Sequence, residues 1–100
     1  MTDKSTPSYT LSVVQDLIRA HKVRITFTAL TTATELGYDA DGVFEVMLEL
    51  TSRDFDKSTT SFNNHSEWQD VYKPVADGFD LYIKFKVVEN VVILSFKERS

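Results

Sequence analysis

One hundred residues without a cysteine support a single domain that buries about 60 to 70% of its unfolded surface, and they exclude a disulfide framework, a thiol nucleophile and a thiolate zinc site. A net charge of −4 is the wrong sign for a chain that would hold nucleic acid by overall attraction, so any basic patch has to be local. Residues 1–56 hold five basic and nine acidic side chains, residues 57–100 six of each, and the acids Glu35, Asp39, Asp41, Glu45, Glu49, Asp54 and Asp56 read as solvated helix faces and turns.

The opening Met1 to Ser8 is polar, with no apolar stretch behind it to serve as a cleaved export signal. No apolar run nears the roughly 20 residues of a membrane span, so a cytoplasmic location is expected. Thr10 then caps a predicted helix from Leu11 to about His21, with Leu11, Val14, Leu17 and Ile18 on one stripe. A short strand follows at Val23–Thr26. Thr28 to Leu36 reads as a helix stopped by Gly37, and Asp39 opens a third helix to about Leu50 with Val43, Val46, Met47 and Leu50 inward. From Lys57 the period changes to two. Lys57–Phe62 and Trp68–Lys73 read as strands around the turn Asn63-Asn64-His65-Ser66, Pro74 and Asp77-Gly78 break the chain, and Phe79–Val88 and Val91–Glu98 form a hairpin closed by Glu89-Asn90. Helices followed by strands give the fold class α+β, with N-terminal helices packed on a C-terminal antiparallel sheet.

The last hairpin fixes its own register. With Glu89 and Asn90 as the loop, Val87 faces Val92, Phe85 faces Leu94 and Ile83 faces Phe96, all apolar pairs. The alternate pairs are Lys86 with Ile93, Lys84 with Ser95 and Tyr82 with Lys97, and they project from the other face. A slip of one residue would drive the lysines into the core. Tyr82 and Lys97 are therefore expected within reach of one ligand on a polar, cationic face. The neighbouring strands that carry Lys57 and Gln69 are dense in hydrogen-bonding groups, which suits a polar ligand.

Other constellations point away from metal and nucleotide chemistry. His21 and His65 have no partners at metal-ligand spacing, so no metal is assigned. Gly37, Gly42 and Gly78 form no phosphate-binding loop, and no nucleophile elbow is present. Trp68 and Tyr72 share one strand face at a spacing suited to stacking bases, although burial is the commoner use of such a pair.

Three segments carry a family resemblance: Asp54-Phe55-Asp56-Lys57-Ser58, the run His65-Ser66-Glu67-Trp68-Gln69-Asp70-Val71-Tyr72-Lys73-Pro74, and Leu94-Ser95-Phe96-Lys97-Glu98. They resemble the motility quorum-sensing regulator (MqsR) toxins of type II toxin–antitoxin systems, from about Thr6 to Glu98. The resemblance implies a RelE-like small ribonuclease fold and metal-independent cutting of messenger RNA at GC-containing sites such as GCU. It also implies no cofactor and a cognate DNA-binding, MqsA-like antitoxin, with no direct DNA binding by the toxin alone. The family's catalytic positions fall on Lys57, Gln69, Tyr82 and Lys97, all retained in identity. Asp56 departs from the pattern by placing an acid beside Lys57.

Cleavage of RNA without metal needs a group to take the 2′-hydroxyl proton, cations to stabilise the phosphorane and an acid for the leaving 5′-oxygen. The expected roles are Lys97 and Lys57 on phosphate, Tyr82 as proton donor or acceptor and Gln69 as an orienting hydrogen-bonder. His65, Tyr72, Lys73, Lys84 and Lys86 are expected RNA contacts. The competing reading is a non-catalytic module of the same fold that binds RNA or protein.

Overall fold

The computed structural model describes residues 2–60 and 66–99, and the sheet they form is organised around its C-terminal hairpin. Its elements in chain order are β1 (Asp3–Lys4), α1 (Leu11–Arg19), β2 (Val23–Ile25), α2 (Phe27–Glu35), α3 (Ala40–Glu49), a 3-10 turn (Ser52–Asp54), β3 (Phe55–Thr60), β4 (Trp68–Tyr72), β5 (Val75–Ala76), β6 (Phe79–Val88) and β7 (Val91–Glu98). Every β6–β7 pair expected from the sequence is present, from Val87 with Val92 to Tyr82 with Lys97. Glu89 and Asn90 both take positive φ, 51° and 63°, which gives the two-residue turn the twist of its strands. Asp77 and Gly78, with φ of 54° and 81°, close the β5–β6 hairpin in the same manner.

Strand order is β1-β3-β4-β6-β7-β2, with β5 beside β6. One pairing departs from the expected all-antiparallel sheet: β2 runs parallel to β7, with Val23 opposite Val92 and Ile25 opposite Leu94. α1 sits between β1 and β2 in the chain, and the tight turn after it, with His21 at φ 61°, returns the backbone in the direction of β7. β1 and β5 are two residues each, too short to show a period in sequence.

The helices form where caps and apolar stripes require them. The Thr26 side chain accepts from the Ala29 N–H at the start of α2, and Asp39 accepts from Gly42 N–H at the start of α3. Gly37, at φ 91°, ends α2 in a Schellman arrangement in which the Tyr38 N–H donates to the Ala33 carbonyl and the Gly37 N–H to that of Thr34. Thr10 occupies the N-cap of α1 without a side-chain bond. Instead, Gln15 of α1 donates its amide to the carbonyls of Met47, Leu48 and Leu50 at 3.1 to 3.2 Å, closing the end of α3. One hydrophobic cluster joins Val14, Ile18, Ala29, Ala33, Val43, Val46 and Met47 of the helices to Leu81, Ile83, Phe85, Val92, Leu94 and Phe96 of the hairpin. Burial of each such large side chain contributes about 1.5 to 3 kcal/mol, which fixes one face of β6 and β7 inward and leaves the other open.

An N-terminal arm completes the covered face. Asp70 of β4 is fully buried, and its carboxylate accepts the backbone N–H groups of Ser8 at 2.9 Å and Tyr9 at 3.0 Å. The Ser8 and Ser58 hydroxyls bond at 2.7 Å, and the Tyr9 hydroxyl donates to the Trp68 carbonyl at 2.7 Å. Asp70 is thus a structural anchor.

Candidate active site

The open face of the sheet depends on a single irregularity in β3. Phe55 packs edge-on against the buried Tyr72 at 5.4 Å, so strict alternation would turn Lys57 toward the same covered side. A β-bulge between Phe55 and Lys57 adds one residue and resets the parity. Lys57 now stands opposite Val71, which stands opposite Lys84, which stands opposite Ser95. This row crosses four strands on the open side. The next row toward the strand ends is Tyr82 with Lys97, and Gln69 with Thr59 belongs to the row on the other side.

Lys57, Gln69, Tyr82 and Lys97 therefore share one face of one sheet, but they do not form one compact cluster. The Lys97 ammonium lies 4.9 Å from the centre of the Tyr82 ring, and that of Lys73 lies 5.9 Å from it. Strand spacing of about 4.8 Å and a rise of about 3.3 Å per residue put the Gln69 backbone about 14 Å from that of Tyr82, and Lys57 about 10 Å from Lys84.

Five lysines populate this face, and three are paired. Lys57 meets Asp3 at 3.6 Å, Lys73 meets Asp56 at 3.3 Å, and Lys86 meets Glu67 at 2.7 Å. Asp56, the acid beside Lys57 in sequence, thus engages Lys73. The Asp3 carboxyl is held below its ordinary value chiefly by a hydrogen bond with the Thr59 side chain, with the Lys57 charge adding to it. Among the described residues Lys84 and Lys97 make no ion pair, so the unneutralised positive charge of the face lies along Lys84 and Lys97.

Two cavities meet at Lys84. The first, about 290 Å³, lies between α2 and the hairpin and is lined by Thr28, Thr32, Tyr82, Lys84, Ser95 and Lys97 among others. The second, about 200 Å³, continues past Gln69, Lys86 and Ile93, and both share Thr26, Lys84 and Ser95. Together they form a groove along the open face. Lys57 lies outside it, in a shallow depression with Asp3, Lys4, Ser5 and Asp56.

The sequence of this chain matches a family model described as "Motility quorum-sensing regulator, toxin of MqsA" over residues 6–98. The chain belongs to this toxin family. It is also 44% identical, over 97% of its own length and 99% of the relative's, to the mRNA interferase toxin MqsR of Escherichia coli (strain K12).

In this MqsR-family chain one expected RNA contact is corrected. Tyr72 is 1% exposed and stacks on Phe85 at 5.6 Å and 16°, inside the core. Burial pushes its hydroxyl up to about 12. Its strand position puts it on the same side as Asp70 and Phe55, opposite to Gln69, so it cannot stack a base on the open face. Trp68, its neighbour on that side, is covered by Lys4, whose ammonium lies 4.3 Å from the ring centre. Lys84 and Lys86 are on the open face as the hairpin register requires, Lys73 joins them there beside Tyr82, and His65 lies outside the described residues. Sequence reasoning missed Thr26, Thr28, Thr32 and Ser95 as groove residues. Ser95 was legible as the partner of Lys84, but the threonines belong to a helix whose position beside β7 follows from the unexpected parallel β2. Among the described residues no three His, Cys, Asp or Glu side chains gather as metal ligands would, and no helix is long and apolar enough to cross a membrane.

Proposed function

We propose that the groove of Tyr82, Lys84 and Lys97 is where this chain, an endoribonuclease toxin by its family, cuts messenger RNA by metal-independent transesterification. The cut falls at GC-containing sites such as GCU and leaves 2′,3′-cyclic phosphate and 5′-hydroxyl ends. The observation that carries the reading is the Tyr82–Lys97 pair, a phenol and an ammonium 4.9 Å from its ring centre, placed in a groove beside Lys84, which makes no ion pair among the described residues.

The reaction moves one proton off the 2′-hydroxyl, forms the bond from O2′ to phosphorus, breaks the bond from phosphorus to O5′ and delivers a proton to O5′. Tyr82 is the group able to donate or accept a proton at the cut. Lys97 and Lys84 balance the charge that builds on the phosphorane oxygens, a stabilisation strongest where donors are already in place. Gln69, farther along the groove, orients the neighbouring nucleotide, and Lys57, Lys73 and Lys86 hold phosphates once they exchange their acidic partners for RNA. The fold is of the RelE-like kind, the chain works in the cytoplasm, and its partner is a DNA-binding, MqsA-like antitoxin.

The test is to map the ends that purified protein generates on RNA, with and without EDTA. Cyclic phosphate and 5′-hydroxyl ends that persist in EDTA are expected. Recovery of 5′-phosphate ends, or loss of cutting on chelation, would overturn the mechanism. In parallel, Lys97→Ala with Tyr82→Phe should abolish growth arrest, and full retained toxicity would show that the groove is not the site.

A further inference from the structure

α2 carries two pairs of threonines that behave differently. On its solvent side, the Thr31 hydroxyl donates to the Phe27 carbonyl at 3.0 Å and that of Thr34 to the Leu30 carbonyl at 2.8 Å. This back-bonding to the preceding turn is the usual resting place of a helical threonine. Thr28 and Thr32, one turn apart on the groove side, make no such bond among the described residues, and neither does Ser95 on the groove floor. Three neutral hydroxyls, each able to donate and to accept, thus line the space beside Tyr82 and beside Lys84 and Lys97, which are unpaired among the described residues.

The chemistry of the two sides of this cavity differs. The sheet side is cationic and matches phosphate, whereas the helix side is uncharged and matches a group that offers donors and acceptors in one plane. Single-stranded RNA presents both at once, a phosphate and an unstacked base with open hydrogen-bonding edges. About 290 Å³ is near the lower limit of small-ligand pockets, of the order of one nucleoside.

We infer that Thr28 and Thr32 of α2, with Ser95, form a nucleobase subsite that reads one base next to the scissile phosphate, so that part of the sequence preference of cutting resides on the helix and not on the catalytic face. This rests on the reading of the groove as the cutting site. A hydroxyl pair that satisfies the correct base leaves a wrong base with unpaired polar atoms, which is where discrimination arises.

The experiment compares cutting of an RNA pool randomised around a single site by the unmodified chain and by Thr28→Val/Thr32→Val. Valine keeps the β-branched shape and removes the hydroxyls. Preference at one position flanking the cut should fall by about 5- to 30-fold in relative kcat/KM, the loss expected for one or two neutral hydrogen bonds. Thr28→Ser/Thr32→Ser should restore it, and Thr31→Val on the solvent side should leave it unchanged. If the valine pair cuts nothing, affinities for uncleavable 2′-O-methyl oligonucleotides that differ at the flanking base give the same readout, with equal affinities expected for the valine pair and unequal ones for the unmodified chain. A valine pair that keeps the same ranking of sites or ligands overturns the inference, as does an unmodified chain with no flanking preference. Failure of the groove itself is distinct: Lys97→Ala with Tyr82→Phe would then cut as the unmodified chain does.

Discussion

The salt dependence of RNA binding reports how many lysines of the open face are free, and the structure gives a number for it. The perturbation is a rise in salt from about 50 to about 200 mM during titration of a 2′-O-methyl oligonucleotide, which lacks the attacking hydroxyl and stays intact. Each phosphate neutralised on a single strand contributes about −0.7 to the slope of log K against log salt. With Lys84 and Lys97 engaged and the other three lysines kept by Asp3, Asp56 and Glu67, the slope is about −1.4 and affinity falls about sevenfold over that range. With all five engaged it is about −3.5, and affinity falls more than about 100-fold. These acids are only partly buried, Lys86 and Glu67 being 28% and 30% exposed, so their pairs are weak and RNA phosphate competes with them. The expected slope lies between the two limits, and Lys84→Ala should make it shallower by about 0.7. Arg19 of α1, paired with Asp16 on a helix of the covered face, is the control whose removal leaves the slope unchanged. A slope near zero, or an equal loss from Arg19→Ala, would refute the assignment of RNA to this face.

Other consequences are equally direct. Asp3→Asn should release Lys57, tightening binding of the same oligonucleotide and steepening its salt slope, and an unchanged slope would show that Lys57 does not touch RNA. Asp70→Ala strips the arm of the acceptor shared by Ser8 and Tyr9 and should cost about 3 to 6 kcal/mol in urea unfolding, charged acceptors contributing about 1.5 to 3 each. An unmoved midpoint would contradict the anchoring role. At high pH the fold should weaken: burial foremost pushes Tyr38 and Tyr72 from 10 up to about 12, so the unfolded chain ionises first. Their contribution is intact below pH 10 and is lost as pH rises through 12, which ultraviolet titration of the phenols against unfolding checks; normal titration of all four tyrosines in the folded chain would exclude it.

What the sequence disclosed follows from where burial leaves no freedom. The β6–β7 register was legible because three apolar pairs admit one alignment, and the caps at Thr26, Gly37 and Asp39 lie near the expected helix ends. The sequence pattern marks Gly37 and Asp39 as helix boundaries but places Thr26 in the preceding strand. The bulge was not legible. Nothing in Phe55-Asp56-Lys57 announces an extra residue, and without it alternation places Lys57 on the wrong side. Tyr72 was misread for a related reason, since its role depends on which face of β4 is covered, and that is set by Phe55, Phe85 and the N-terminal arm from distant parts of the chain. The threonines of the groove stayed hidden because a helix made of Thr and Ala has no strong stripe to say which side meets the sheet.

The strand order has a further bearing on how this toxin comes into being. β6 and β7 follow every other strand in the chain, yet they lie between β4 and β2 and bring Tyr82 and Lys97 with them. As the chain leaves the ribosome, β1, β3 and β4 on one flank can pair only among themselves, and β2 on the other has no neighbour until this last hairpin emerges. Loop closure over such separations comes late in folding. A nascent or prematurely terminated chain therefore lacks the two strands that join the flanks, and the proposed cutting face is complete only once synthesis has passed Lys97.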